Sequence, residues 1–290
     1  IIVPEQFTMQ TQKNVVEMHP GKGILNIDVL SFQRLAYRIF EETGGAREVL
    51  LDDTGKSMVL QKLVQQHRKN LPYLGSQMNK PGYLDEVKSL ISEFMQYDIR
   101  EEELQDMLGK TGEDSLLHMK MQDVGVLYQA FLQYLEGHYM TGEGVMDALK
   151  KAIPFSDKLK KSVLLLDGFT GFTPVQMNVI RELLNVCDKV LVTVTMDARE
   201  NPLQMGKPHQ LFYMSRKMIH TLSGLTSNLD DPVLLKDERK GRFGNSTSLD
   251  FLEKHLFRYR RSTYEKKQEE ICIFAAESPV KELEETARRI

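Results

Sequence analysis

The sequence contains little cysteine and no tryptophan, and neither charge is in strong excess. Its 290 residues include two cysteines, Cys187 and Cys272, which excludes a four-cysteine zinc ribbon or iron–sulfur cluster within the chain. Lysine and arginine number 38 against 41 acidic residues, so the net charge is −3. No global basic field therefore predicts nucleic-acid binding, and any such site must be local.

Long apolar runs are also missing, and we expect no signal peptide. No run approaches the roughly 20 residues that a membrane-spanning helix needs. We therefore expect no membrane partner, and the low cysteine content is typical of a reducing compartment such as the cytoplasm. Hydrophobic residues make up 41% of the chain, enough for a globular core, and the length indicates about two domains.

Strands and helices alternate in the first part of the chain. An apolar run at 1–3 is followed by a predicted helix over 7–19, and ILNIDVLSF at 24–32 predicts a second strand. Ser31 is the predicted N-cap of the next helix. Short strand–helix units of this kind predict a parallel sheet.

Residues 50–155 have helical periodicity and no convincing strand, and the strand–helix pattern then resumes. VLLLDGF, beginning at Val163, predicts a strand, Thr173 and Pro174 predict a helix start, and KVLVTVTMD at 189–197 predicts another strand. We expect the intervening helix to bury five residues: Met177, Ile180, Leu183, Leu184 and Cys187. The fold class is therefore α/β, an open parallel sheet interrupted by an all-helical insertion.

The signals weaken after residue 200. LDFLEKHLF at 249–257 predicts a short helix, EEICIFAAE at 269–277 predicts a strand, and Ser278 with Pro279 predicts another helix start. Because the chain opens inside a predicted strand and closes inside a predicted helix, we expect it to be a piece of a longer polypeptide, with a sheet incomplete at its N-terminus.

Asp167 ends the strand VLLLD, the position at which nucleotide hydrolases place a carboxylate that binds Mg²⁺. In motors of this class a glutamate follows and polarises the attacking water. Here Gly168 follows, so that second role is unfilled. Alternatively, Asp167 merely caps a strand–helix turn, and the sequence pattern leaves both interpretations open.

GKS at 55–57 is the only sequence that invites comparison with a phosphate-binding loop. That motif requires a glycine five positions before Gly55, where the chain has Leu50, and it should follow a strand. We interpret GKS as a helix start. The chain therefore contains no complete nucleotide site.

Polar and aromatic residues follow the first two predicted strands. Gln6 and Thr8 come after the first, at the edge where open parallel sheets bind ligands. Gln can pair with a base edge and the Thr hydroxyl with phosphate or base. Alternatively, this stretch is a helix-capping turn, which would satisfy Thr8 equally well.

The second strand is followed by SFQRLAYR, which offers Phe32, Arg34, Tyr37 and Arg38. Aromatic rings stack on exposed bases, and arginine pairs with phosphate or guanine. Alternatively, the aromatic residues belong to the buried face and the arginines are simply solvated. In both interpretations the spacing predicts that Leu35 and Ile39 are buried.

The stretch 256–268 interleaves basic and aromatic residues in a pattern that could follow a phosphate backbone. Its basic residues are Arg258, Arg260, Arg261, Lys266 and Lys267. We favour a solvated linker. The seven histidines show no metal-ligand spacing.

Four segments together resemble the AddB (RexB) family, the B subunit of the AddAB (RexAB) ATP-dependent helicase–nuclease. They are IIVPEQFTMQ, VLSFQRLAYRIFEETGG, VLYQAFLQYLEGHY and LLLDGFTGFTPVQMNVIRELL. That family is related to superfamily 1 helicases, whose corresponding strand carries DE-x-QD and a downstream glutamine. Asp167 and Gln176 match that Walker B-like pattern, whereas Gly168 and Gly171 depart from it.

The resemblance implies a RecA-like, superfamily 1 helicase-type fold. It implies the following divisions: 1–45, first part of RecA-like domain 1A; 46–158, helical insertion; 159–225, remainder of domain 1A; 226–267, linker; 268–290, start of a second RecA-like domain.

The resemblance also implies a function in double-strand-break repair and homologous recombination. The family's B subunit is a degenerate helicase-like shell that receives single-stranded DNA and scans it for the Chi hot spot, while an AddA-type partner drives translocation. We expect DNA contacts at six residues: Gln6, Thr8, Phe32, Arg34, Tyr37 and Phe169. The family location is the bacterial cytoplasm, associated with the nucleoid.

No catalytic residue, metal ligand or cofactor site is expected within this chain. For the whole protein, an ATP-dependent exodeoxyribonuclease and helicase acting on single- and double-stranded DNA, the resemblance implies Mg²⁺, ATP and an iron–sulfur cluster. A rival hypothesis is an interaction scaffold that docks the A subunit through the helical insertion. A third, an active phosphate-loop enzyme whose first strand has been trimmed, is weakened by Gly168.

Overall fold

The computed structural model describes residues 1–45, 48–78, 80, 82–197, 199–235, 243–258 and 262–290. They form two compact units. The first comprises Ile1–Asp197 and Pro202–Leu229, and the second comprises the described residues of Ala198–Asn201 and Asp230–Ile290.

Short strands and longer helices make up the described regular structure. The strands are β1 (Val49–Leu50), β2 (Tyr139–Met140), β3 (Val163–Leu166) and β4 (Lys189–Val192). The helices of the first unit are α1 (Thr8–Met18), α2 (Phe32–Thr43), α3 (Asp53–His67), α4 (Leu74–Gln77), α5 (Tyr83–Gln96), α6 (Glu101–Gly109), α7 (Leu116–Leu135), α8 (Gly144–Ala152), α9 (Pro174–Val186) and α10 (Tyr213–Ser223). Those of the second unit are α11 (Thr247–His255) and α12 (Pro279–Arg289).

Four parallel chain segments lie side by side in the first unit. β3 and β4 pair in parallel, with Val163 opposite Lys189. Ile2 forms one parallel bridge to Leu166 and another to Leu30. The spatial order is therefore the segment at Leu30, the segment at Ile2, β3 and β4. Because all four run in the same direction, their carboxyl ends meet at one edge, and the mixed α/β prediction is confirmed.

The second predicted strand, at 24–32, is largely wrong. Only its end pairs: the Leu30 N–H donates to the Ile1 carbonyl at 2.9 Å, the Leu30 carbonyl accepts from the Val3 N–H at 2.9 Å, and the Asp28 carbonyl accepts from the Ile1 amino group at 2.7 Å. Asn and Asp are depleted in strands, and Leu25 is 99% exposed. The upstream part of the run therefore has no core to pack against.

The first hydrophobic core packs the inner face of this sheet against α2, α8 and α9. The amphipathic prediction for α2 is confirmed, since Leu35 and Ile39 are buried. In α9 the predicted burial of Ile180 and Leu183 is confirmed, whereas Met177, Leu184 and Cys187 are only partly buried. Val175 and Val179 are buried as well, although they were not predicted to be. α8, predicted as part of the helical segment, packs into this same core.

The second hydrophobic core is helical and is built around Leu60, Leu127 and Phe131. Helices were predicted here and are present. β1 and β2 nevertheless form a two-residue parallel pair, so the expectation of no strand between 50 and 155 is wrong. The RecA-like assignment, the inserted subdomain and the predicted domain boundaries stay predictions.

In the second unit both predicted helices are present, and the Ser278 hydroxyl accepts from the Lys281 N–H as the expected N-cap of α12. The predicted strand at 269–277 is wrong, because residues 271–276 have no strand partner among the described residues. An extended segment without a neighbouring strand gains no ladder hydrogen bonds. Among the described helices of both units, none has the length and apolarity to cross a bilayer.

Candidate functional site

The loops that follow the parallel segments meet at the carboxyl edge of the sheet. Arg34, in the first turn of α2, places its Nε 3.1 Å from Glu5 Oε1, in the turn after the first segment. The Phe32 ring lies 5.7 Å from the Phe169 ring, in the loop after β3. These contacts bring side chains from three loops onto one surface, which we name the carboxyl-edge surface: Glu5, Gln6, Arg34 and Phe169.

The Arg34 side chain is held at its base and remains accessible at its tip. Its backbone N–H donates to the Ser31 hydroxyl at 3.3 Å, the predicted N-cap of α2. The Arg34 and Glu5 side chains are 57% and 54% exposed. One turn further along the helix, Arg38 Nη2 lies 3.5 Å from Asp28 Oδ2. Solvent or a ligand can therefore reach both guanidinium groups.

The three phenylalanines at this edge pack against one another. The Phe169 and Phe172 rings are 4.9 Å apart, and Phe32 meets Phe172 edge-on at 6.2 Å. Phe32 is buried, as the alternative interpretation expected, whereas Phe169 and Phe172 are only partly buried. Tyr37 is 39% exposed, so its ring remains accessible. For stacking on a base, Phe169 and Tyr37 are better placed than Phe32.

Gln6 and Thr8 differ in accessibility. Gln6 is exposed within the 3-10 turn Glu5–Phe7. Thr8 is buried, and its hydroxyl donates to the Glu5 carbonyl at 3.0 Å. The Thr8 hydroxyl therefore stabilises the turn that presents Glu5 and Gln6.

Asp167 is tied to the sheet by two hydrogen bonds. Its carboxylate accepts from the Thr193 hydroxyl, and its backbone N–H donates to the Ile2 carbonyl at 2.9 Å. Gly168 has φ of +77°, in the left-handed region that is costly for residues with a side chain. A glutamate at this position would therefore be strained, and the backbone as well as the sequence disfavours a catalytic acid after Asp167.

Gln176 acts as a helix cap. Its side-chain oxygen accepts from the Thr173 N–H at 3.0 Å, while the Thr173 hydroxyl accepts from the Gln176 N–H at 3.4 Å. This reciprocal capping box, with Pro174 in the first turn, explains why α9 begins where it does. The Gln176 carboxamide is thus engaged within its own helix.

The lysine of the GKS sequence serves the fold. Asp52 caps α3 by accepting from the Gly55 N–H at 2.7 Å, which confirms the helix start. The Lys56 side chain is 8% exposed, and its Nζ lies 2.9 Å from Glu143 Oε2 and 3.2 Å from Ser92 Oγ. This buried ion pair leaves Lys56 with no phosphate-binding geometry.

The basic stretch 256–268 is only partly described, because residues 259–261 lie outside the described ranges. Within it, Arg258 Nη1 lies 3.2 Å from Glu200, and Lys267 Nζ lies 3.3 Å from Glu269. These pairings with acids favour the linker interpretation. Among the described residues, no group of three or more His, Cys, Asp or Glu side chains could hold a metal ion.

A cavity of about 1050 Å³ lies away from the carboxyl-edge surface, between α2, α7 and α8. The charged residues of its described lining are three acids and one base: Glu48, Glu136, Asp147 and Lys151. Burial and the nearby charge of Asp98 raise the pKa of Asp147. Phosphate groups would be repelled by this lining, so the cavity does not fit nucleic acid.

Three residues at the carboxyl edge were not nominated from the sequence: Glu5, Phe172 and Thr193. Glu5 precedes the nominated Gln6, and Phe172 follows Phe169 by three positions, so both lay within patterns already noted. Thr193 had no local signal, because its contact with Asp167 depends on the pairing of β3 with β4.

Comparison with known proteins identifies relatives over nearly the whole chain. The family model described as ADDB, N-terminal, matches residues 1–253. The chain is 43% identical over 289 residues to the B subunit of the ATP-dependent helicase/deoxyribonuclease of Lachnoclostridium phytofermentans, covering 97% of this chain and 25% of that protein. It is 32% identical over 294 residues to the protein of the same name from Clostridium acetobutylicum, covering 100% of this chain and 25% of that protein.

These relatives are about four times as long as the region they share with this chain, which spans about a quarter of their length. The family match, in contrast, extends over most of the chain. With residues 1–253 matched by the model of the AddB N-terminal region, the chain belongs to the AddB family.

Proposed function

We propose that this chain is the N-terminal, helicase-like module of the B subunit of an ATP-dependent helicase–nuclease. In this proposal its carboxyl-edge surface binds single-stranded DNA and reads the Chi hot spot, on a RecA-like scaffold that does not act as a motor. The whole protein works with an AddA-type partner on broken DNA ends during homologous recombination. Mg²⁺, ATP and an iron–sulfur cluster belong to other parts of that assembly.

One observation carries the proposal. At the edge where parallel sheets bind ligands, the loops converge with an exposed arginine, an exposed glutamine and a partly exposed aromatic ring. Arg34 and Gln6 suit base edges, and Phe169 suits stacking. The names of the relatives, which describe a helicase/deoxyribonuclease, agree with a DNA substrate.

The non-motor part of the proposal rests on Asp167 and its neighbour. The Asp167 carboxylate accepts from Thr193, and Gly168 adopts a backbone conformation that disfavours an acid. The chain has no phosphate loop and two cysteines, which are too few for a cluster with four cysteine ligands. We therefore expect Asp167→Ala to leave the ATPase activity of the assembled complex unchanged. A DNA-stimulated ATPase of the purified chain, abolished by Asp167→Ala, would refute the non-motor assignment.

The decisive test compares Arg34→Ala with the matched variant Arg38→Ala, one turn away on the same helix. Sequencing the fragment ends that the wild-type complex produces from random-sequence DNA first identifies the hot spot. A good bidentate base contact is worth about 1–3 kcal/mol, so Arg34→Ala should abolish most hot-spot fragments while unwinding continues at its normal rate. Arg38→Ala should behave like wild type. A normal hot-spot response in Arg34→Ala would exclude the proposed site.

A second candidate function is docking of the A subunit by the helical region. The observation in its favour is that Leu116 and Leu117, at the start of α7, are 49% and 58% exposed. Residues 46–158 cannot be deleted cleanly, because α8 packs into the first core. Co-purification of the A subunit with a Leu117→Asp variant is the better test. Loss of the partner with a retained fold would support docking.

A further inference from the structure

We propose that Glu5 is a built-in competitor for Arg34, so that single-stranded DNA must displace its carboxylate to use the full donor fork of the guanidinium. This inference rests on the proposed function, since it concerns how DNA gains access to the carboxyl-edge surface. The observation behind the inference is the ion pair between the two residues. Arg34 Nε lies 3.1 Å from Glu5 Oε1, and the pair joins two separate segments of that surface.

The chemistry of the guanidinium makes the two ligands competitors. Arginine presents a planar fork of donors that matches a carboxylate, a phosphate or the edge of guanine, and the Glu5 carboxylate occupies one of those donors. A phosphate that approaches Arg34 also meets the negative charge of Glu5. DNA therefore gains the Nε donor of Arg34, and with it the full donor fork, only if it releases Glu5.

The exposure of the pair makes this exchange easy. With side chains 57% and 54% exposed, Arg34 and Glu5 form a surface ion pair that solvent screens and a ligand can open. An exposed ion pair contributes little binding free energy. Competition from Glu5 should therefore weaken the binding of another ligand to Arg34 by only about two- to fivefold. A lone phosphate contact would gain little by displacing Glu5, whereas a bidentate base contact would gain more. Glu5 thus weakens every ligand of Arg34 by the same factor, and only ligands that gain more than this penalty stay bound.

A matched pair joins the same helix to the segment that precedes it. Arg38 and Asp28 lie 3.5 Å apart, with side chains 49% and 61% exposed. Arg38 is four residues after Arg34, about 6 Å further along the helix axis from the carboxyl edge. Asp28→Asn therefore removes a similar negative charge from beside an arginine of the same helix without freeing Arg34.

Photo-crosslinking in the assembled full-length complex tests the competition. The probe is a labelled single-stranded oligonucleotide containing 4-thiothymidine, and the readout is the label attached to the AddB-type polypeptide alone. We expect Glu5→Gln to lower the half-saturating DNA concentration about two- to fivefold. Asp28→Asn should leave it unchanged. Hot-spot mapping of Glu5→Gln should show more stops at non-hot-spot sequences.

A double variant shows whether the gain acts through Arg34. If Glu5 competes for that guanidinium, Glu5→Gln adds no gain in an Arg34→Ala background. An equal gain in that background would mean general charge repulsion and would overturn the inference. If Arg34→Ala weakens crosslinking to the AddB-type polypeptide but Glu5→Gln leaves it unchanged, only the competitor role fails. If Arg34→Ala itself has no effect on crosslinking or hot-spot response, the proposed function fails.

Discussion

The helical core and the carboxyl-edge surface use charged side chains in opposite ways. In the helical region Asp123 is fully buried, and Lys56 and Glu143 are 8% and 11% exposed, each committed to fixed partners. At the carboxyl edge Arg34 and Glu5 are more than half exposed. Buried charges of the first kind are held in place, because removing one partner leaves the other buried without compensation, which is costly. Exposed pairs of the second kind can exchange a protein partner for a ligand at little cost.

The largest loss of stability is expected when the buried ion pair of Lys56 and Glu143 is broken. Lys56→Met leaves the Glu143 carboxylate buried without its cation, so the free energy of local opening should fall by about 3–5 kcal/mol. Hydrogen exchange in peptides from α3 and α8 of the full-length protein measures this. Adding Glu143→Leu should restore much of the stability, because no unpaired charge then remains. Unchanged hydrogen-exchange protection in Lys56→Met would mean that this pair contributes as little to stability as an exposed ion pair.

A smaller loss is expected at Asp123. One of its oxygens accepts from the N–H groups of Tyr73 and Leu74, at 2.9 and 2.7 Å. Asp123→Ala leaves both donors without an acceptor, and we expect a loss of about 2–3 kcal/mol in hydrogen-exchange protection of α4 and α7. The control is Asp106→Ala on the surface of α6, which should change stability by less than about 0.5 kcal/mol. Equal losses of protection in Asp123→Ala and Asp106→Ala would contradict a structural role for the Asp123 carboxylate.

Tyr128 provides a pH-dependent comparison. Burial, followed by the charge of Asp98, raises the pKa of Tyr128 to about 12, and its hydroxyl donates to the Ile99 carbonyl at 3.1 Å. Because the folded-state pKa lies above the unfolded value, the stabilisation is complete below about pH 10 and is lost as the pH rises through the folded-state pKa. Tyr128→Phe should cost about 1 kcal/mol at neutral pH. Its thermal stability should also fall less than that of wild type between neutral and alkaline pH.

The smallest effect on stability is expected for Arg34→Ala. An exposed ion pair contributes about 0–1 kcal/mol, so the melting temperature of the protein should hardly change although the hot-spot response is lost. This outcome would separate function from folding at the carboxyl edge. A large fall in melting temperature would instead mean that Arg34 belongs with the structural charges of the helical core.

Local signals predicted the helices well and the strands less well. Ser31, Thr173 and Ser278 cap the helices that they were expected to start, because an N-cap depends on only a few neighbouring residues. The runs at 24–32 and 269–277 failed as strands, because a strand needs a partner as well as a suitable composition. β1 and β2 were missed for a different reason: a strand of two residues is too short to show periodicity.

The candidate site was predictable in position more than in detail. The nominated residues follow predicted parallel strands, and the carboxyl ends of such strands must share an edge. The sequence did not reveal that Phe32 is buried while Phe169 is partly exposed, since both are phenylalanines in loops or first helical turns. For Gln176 a local signal was present, because Thr173-x-x-Gln176 matches the capping-box pattern, although the residue was predicted to be part of a Walker B-like pattern.

The sequence alone determined the family resemblance, the absence of a phosphate loop and of a second acid after Asp167, and the amphipathic faces of the helices. These follow from residue identity and short-range spacing. Only the tertiary structure decided that Lys56 pairs with Glu143, that Thr193 donates to Asp167 and that Glu5 lies against Arg34. The partners in these pairs are 87, 26 and 29 residues apart, so chain folding alone brings them together.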